Sequence, residues 1–89
     1  MQEFDDTDLE AFAVDGFTLP LLNLNDVDLP MTLIRVGGRD YQYDRSYPHK
    51  GYGAIMPAYV AEQVAAGRKP LVVERGDRYY LYFEVAPAA

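Results

Sequence analysis

His49 is the only histidine of this 89-residue chain, with Ser46, the only serine, three residues before it and Asp44 five before it. Imidazole, hydroxyl and carboxylate are the groups of acyl transfer. A triad, however, is defined by three-dimensional placement around an oxyanion hole, and closeness along a loop does not supply it. His49 therefore reads as a loop histidine beside Pro48. No residue is assigned a catalytic part, and the chain is expected not to be an enzyme.

Oxygen ligands are dense in two places, Asp5-Asp6-Thr7-Asp8 and Asn23-x-Asn25-Asp26-x-Asp28. A calcium loop of the EF-hand type needs glycine at its sixth position, for the sharp turn. Counted from Asn23, that position is Asp28. Both runs read as solvated acidic segments, with no metal and no cofactor expected. Lys50-Gly51-Tyr52-Gly53 precedes a helical stretch but lacks the glycine and Lys-Ser/Thr spacing of a phosphate loop. Arg75-Gly76-Asp77 spells an adhesive tripeptide, yet it sits where a hairpin needs a turn.

Arg35, Arg39, Arg45, His49 and Lys50 alternate with Tyr41, Tyr43, Tyr47 and Tyr52. Rings interleaved with cations suit single-stranded nucleic acid. The whole chain opposes this reading, with a net charge of −6 and a pI of about 4.5, whereas nucleic-acid domains are usually basic. Nucleic acid is thus the alternative partner, not the preferred one. Residues 1–30 carry eight acids and no base, and residues 31–89 carry six acids and eight bases. The negative balance lies in the first third, where it can steer a basic partner.

Eight tyrosines stand against four phenylalanines and no tryptophan. Tyrosine gives large contact area at small entropic cost and is enriched at interfaces. Tyr80 and Tyr82 alternate with Leu81 and Phe83, so the two pairs face opposite ways along a strand. A helix covering the Leu81/Phe83 face would leave Tyr80 and Tyr82 open, together with Tyr41 or Tyr43.

The positioning elements follow from pattern. Pro57, Val60, Ala61 and Val64 fall on one helical face. Pro57 suits a first helical position, and Gly67 suits the residue just past the end. Residues 71–74 and 78–85 are β-branched and aromatic runs around Gly76, which reads as a hairpin of open register. Gly37-Gly38 marks a second hairpin with Val36 opposite Arg39, Arg35 opposite Asp40, Ile34 opposite Tyr41 and Thr32 opposite Tyr43. Thr7 and Glu10 have capping-box spacing, which favours a short helix near residues 8–14. The rival there is an extended stretch holding Phe12, Val14 and Phe17. Asn23 to Asp28 reads as a loop anchored by Leu24 and Val27, and residues 45–53 read as a second loop.

The expected fold is α+β. A small antiparallel sheet of two β-hairpins, about 31–44 and 71–85, carries one short helix, about 57–66, on one face. An acidic N-terminal arm or short helix precedes it. A strongly bent sheet approaching a barrel is the structural alternative. Residues 1–89 make a single domain: an acidic segment 1–30, a ββαββ body 31–85 and a loose tail 86–89. No cysteine is present, which fits the cytoplasm. No apolar run approaches the roughly 20 residues that span a bilayer, so no membrane partner is expected.

The functional expectation is a small acidic module that binds a larger protein partner. An inhibitor, antitoxin, immunity or phage anti-defence protein would each suit it. The partner-binding residues would be Tyr41, Tyr43, Tyr80 and Tyr82 on the sheet, and Asp5, Asp6, Asp8, Glu10 and Asp15 in the acidic arm. The alternative is a single-stranded nucleic-acid or anionic-ligand binder using the Tyr/Arg-rich middle. An edge strand would also admit a homodimer.

Overall fold

The computed structural model describes residues 2–14, 16–24 and 32–85. Along the chain run β1 (Gln2–Phe4), β2 (Glu10–Val14), β3 (Phe17–Asn23), β4 (Leu33–Val36) and β5 (Arg39–Pro48), then helix α1 (Tyr52–Ala65), β6 (Pro70–Arg75) and β7 (Arg78–Glu84). All seven strands join one mixed sheet in the order β1-β4-β5-β7-β6-β3-β2. β1 is parallel to β4 and β3 to β6, while the other neighbours are antiparallel.

The two-hairpin sheet expected from sequence is therefore too small. Both hairpins exist, but the first third of the chain adds three more strands. The helix expected near residues 8–14 is β2. Thr7 does not cap it; the Asp5 carboxylate accepts from the Thr7 backbone N–H at 3.0 Å and caps a one-turn 3₁₀ helix, Asp6–Asp8. Phe12 and Val14 then alternate as a strand, which pairs with β3 across a two-residue turn, Val14 opposite Phe17. Pro20 is tolerated in β3 because pairing with β6 begins only at Leu21, so its missing N–H interrupts no bond on that side. The first four residues of the expected loop 45–53 are strand, since β5 runs on to Pro48, and its last two belong to α1. Val27, Asp15, Met31 and the 86–89 tail lie outside the described residues.

In β4–β5 the register is the one that Gly37-Gly38 dictates: Val36 faces Arg39, Arg35 faces Asp40 and Ile34 faces Tyr41. The hairpin β6–β7 closes with Arg75 opposite Arg78 around Gly76-Asp77. Between Tyr43 and Arg45 the pairing of β5 with β7 shifts by one residue, which makes Asp44 a bulge. An extra residue inverts the facing of everything after it. Tyr41 and Tyr43 consequently point to one side of the sheet and Tyr47 to the other.

Each side carries a core. One holds Leu22, Leu24, Ile34, Val36, Tyr41, Leu71, Val73 and Tyr82. The other holds Leu19, Leu21, Tyr47, Val72, Leu81 and Phe83 beneath Met56 and Val60 of α1. The helix starts at Tyr52, not near residue 57, and Pro57 lies within it. The earlier start brings Met56 onto the buried face one turn before Val60. Val64, expected on that face, is exposed. The helix ends as Gly67 predicts. Gly67 has φ 89°, its N–H donates to the Val64 carbonyl at 2.9 Å, and the Arg68 N–H donates to that of Gln63 at 3.1 Å. This is a Schellman ending, which favours glycine.

β1 and β2 are the two outer strands, yet only residues 5–9 join them. Six steps of about 4.8 Å would hold the edges of a flat sheet about 29 Å apart. Six residue-to-residue steps of extended chain reach only about 20 Å. The sheet must curl to let the link close, and the curl creates the first core. Phe4, just before the link, and Leu9, its last residue, pack against that core.

Candidate functional site

The curl decides where the tyrosines go. Tyr80 and Tyr82 do face away from α1, but that side is a concave interior. Tyr82 is fully buried and Tyr41 nearly so. Burial pushes the Tyr82 hydroxyl up to about 12, because a phenolate there would lose its hydration. Tyr41 and Tyr82 thus belong to the core and present no ring to a partner, which corrects the expected open aromatic face. Tyr43 and Tyr80 are half-buried, with ring centroids 6.2 Å apart. Of the expected four, only these two reach the surface.

The acidic arm is built differently from a loose tail. β1 pairs with β4, and the Gly37 N–H donates to the Phe4 carbonyl at 3.0 Å. The Asp8 and Leu9 N–H groups donate to the carbonyls of Asp5 and Asp6. Glu3 lies 3.3 Å from Arg35. Asp5, Asp6, Asp8 and Glu10 are all exposed. The Thr7 N–H holds the Asp5 carboxyl below the usual aspartate range. Among the described residues, no Lys or Arg forms an ion pair with any of these four. Asp15 lies outside the described residues. Asp6, Leu9, Val36, Gly37, Arg39 and Tyr41 line a cleft of about 240 Å³.

The guanidinium groups of the middle segment are engaged within the molecule. Arg35 bonds to Asp40 at 2.7 Å, Arg39 lies 3.4 Å from Glu84, and Arg45 lies 3.0 Å from Asp44. Arg45 also stacks 3.7 Å over the Tyr59 ring, whose hydroxyl donates to Asp44 at 2.6 Å. With Tyr41 and Tyr47 buried, the interleaved tyrosines and arginines do not form one exposed strip.

Ser46 and His49 do not meet. The Ser46 hydroxyl accepts from Nε and Nη2 of Arg78 at 3.2 and 3.0 Å, and Ser46 is paired with Tyr80 on the concave side. His49 stacks on Tyr79, on the helix side, at 4.3 Å between centroids. Its Nε2 is 3.3 Å from Glu74, which also accepts from the Asn23 side-chain amide at 3.2 Å. The His49 backbone N–H donates to the Asp77 carbonyl at 2.9 Å. A cleft of about 350 Å³ opens beside Pro48, His49, Lys50 and Asp77. Parallel pairing of β3 with β6 brings Asn23 opposite Glu74, a meeting across 51 residues that no local pattern announces. The same holds for the placement of β2 as an outer strand beside the acids. Among the described residues, no group of three His, Cys, Asp or Glu side chains is arranged to hold a metal ion. No helix among them is long and apolar enough to cross a membrane. Comparison of the chain with protein-family models, curated proteins and solved structures finds no match.

Proposed function

We propose that this protein is a small acidic interaction module that binds a basic region of a larger protein. One observation carries the reading: Asp5, Asp6, Asp8 and Glu10 are exposed at an outer margin of the sheet, with no cation among the described residues paired to them. Fixed acids in one place make a local negative potential that speeds and orients the approach of a basic surface. The engagement of Arg35, Arg39 and Arg45 by neighbouring acids supports it too, because those cations contribute little to binding an anion. Inhibitors, antitoxins, immunity proteins and phage anti-defence proteins would each use such a surface against a larger target. A cytoplasmic location fits a chain without cysteine.

Affinity capture with the full chain and with an Asp5→Asn/Asp6→Asn/Asp8→Asn/Glu10→Gln variant tests the reading. Basic partners held by the parent at low salt should be lost from the variant and at high salt. Equal capture by both proteins would overturn it. Binding of a single-stranded oligonucleotide that weakens steeply with salt would replace it with the nucleic-acid reading.

A further inference from the structure

Among the described residues β2 ends the sheet, and only β3 pairs with it. In a hairpin with a two-residue turn, the residues flanking the turn exchange both backbone hydrogen bonds, and alternate pairs beyond them do the same. Val14–Phe17, Phe12–Leu19 and Glu10–Leu21 are therefore the bonded pairs. Ala13–Thr18 and Ala11–Pro20 are the non-bonded pairs between them. Pro20, with no N–H to give, falls in a non-bonded pair, as this phase requires. The N–H and C=O groups of Ala11 and Ala13 consequently point outward from the sheet. Both alanines are exposed, and among the described residues no backbone bond outside β2–β3 engages them.

Natural sheet edges are commonly guarded by lysine, proline, a bulge or extreme shortness. β1, at the far edge, is three residues long and carries Glu3. β2 is five residues, Glu10-Ala11-Phe12-Ala13-Val14, with one charge at its first position and no lysine, proline or bulge along it. Its small outward-edge residues let another backbone approach. Phe12 remains half-buried at the margin of the helix-side core, with its ring 5.0 Å from that of Tyr79. The entry to the edge is flanked by Asp8 and Glu10.

We propose that β2 receives an extended segment of the basic partner as an eighth strand, bonded through the backbone of Ala11 and Ala13. Its cations would lie beside Asp8 and Glu10, and an apolar side chain would lie over Phe12. This rests on the acidic-module reading and names the mode of recognition, strand addition. Charge selects the occupant. A second copy pairing antiparallel about Phe12 would set Glu10 opposite Val14 and leave the carboxylates of Asp8 and Glu10 without cations, whereas a lysine- or arginine-flanked segment neutralises them.

The test uses the full ¹⁵N-labelled chain and a capped peptide of about ten residues, with lysines at both ends and alternating valine and threonine between. A second peptide is identical but N-methylated at its central residues, so charge is kept and the donors are removed. Strand addition requires amide shifts and slowed exchange at Ala11 and Ala13 with the first peptide. It also requires about tenfold weaker binding or worse with the second, and the same loss from Ala13→Pro. That substitution removes an outward N–H and no β2–β3 bond, and the N-methylated peptide gives the same answer if the variant does not fold. Shifts confined to residues 5–10 and unaffected by N-methylation would overturn strand addition while leaving the acidic reading standing. No binding of either peptide at millimolar concentration would overturn both. Self-association abolished by Ala13→Pro would overturn the proposal in favour of a second copy.

Discussion

Tyr43 on β5 and Tyr82 on β7 stand directly opposite each other, with ring centroids 5.7 Å apart and planes at 65°. An edge-to-face pair of this kind adds about 0.5–1.5 kcal/mol to the burial of the rings themselves. Tyr82 is the inner partner and fully buried; Tyr43 is the outer and half-buried. Tyr82→Ala should therefore cost about 3–5 kcal/mol and lower Tm by more than about 10 °C. Tyr43→Ala should cost about 1–2 kcal/mol. Thermal and denaturant unfolding of both variants checks the order. Equal losses would mean that the concave side is not closed around Tyr82.

The same burial sets an alkaline limit. The Tyr82 hydroxyl is pushed up to about 12, and burial shifts Tyr41 and Tyr47 in the same direction. In the unfolded chain a tyrosine ionises near 10. The native state thus keeps protons that the unfolded state releases. Stability is intact below about pH 10 and falls as pH rises through about 12, by up to about 3 kcal/mol for Tyr82. Urea midpoints measured from pH 8 to 12, with tyrosinate absorbance at 295 nm, check the sign. Tyr82→Phe should flatten part of the slope.

Local signals carried the hairpins and failed on their surroundings. Gly37-Gly38 fixed the β4–β5 register and the Arg35–Asp40 pair because turn chemistry and cross-strand charge act over a few residues. The alternation of residues 79–85 separated Tyr80 and Tyr82 from Leu81 and Phe83. It could not show that both sides are buried, since that depends on the link over residues 5–9 drawing the sheet edges together. Thr7 and Glu10 match a helix start, and Asp5 takes the cap two residues earlier. The pairing of β3 with β6 joins segments about 50 residues apart, beyond the reach of any window of pattern. Of the candidate site, the acids were legible as composition. Their place beside an open strand was not.

Asp44 is a second point where sequence alternation misleads, and it can be tested by length as well as by type. Asp44→Ala keeps the bulge but removes the bonds to Tyr59 and Arg45. A loss of about 1–2 kcal/mol is expected. Deleting Asp44 removes the extra residue and makes Tyr43–Tyr82, Arg45–Leu81, Ser46–Tyr80 and Tyr47–Tyr79 a regular ladder, so Tyr47 stays in the helix-side core. The deletion should therefore keep cooperative unfolding and cost about as much as the alanine. Near-UV circular dichroism reads the packing of the tyrosines. A deletion that abolishes cooperative unfolding would remove the bulge from the account of the fold.

The acidic arm depends on a close approach at Gly37. Gly37 and Gly38 both have positive φ, 57° and 79°. A Cβ at Gly37 would lie 2.8 Å from the Asp6 Cβ, whereas one at Gly38 would meet nothing within 4 Å. Alanine at either position bears the left-handed backbone cost of about 1 kcal/mol. Only Gly37→Ala also pushes the one-turn helix Asp6–Asp8 off the β4–β5 turn. Gly37→Ala should therefore destabilise more than Gly38→Ala, and it alone should speed amide exchange at Leu9 and at Gly37's neighbours in β4. Capture of a basic partner should fall with it, because the acids lose their fixed positions. If both variants exchange alike, the arm is held by its strand pairing and not by this contact.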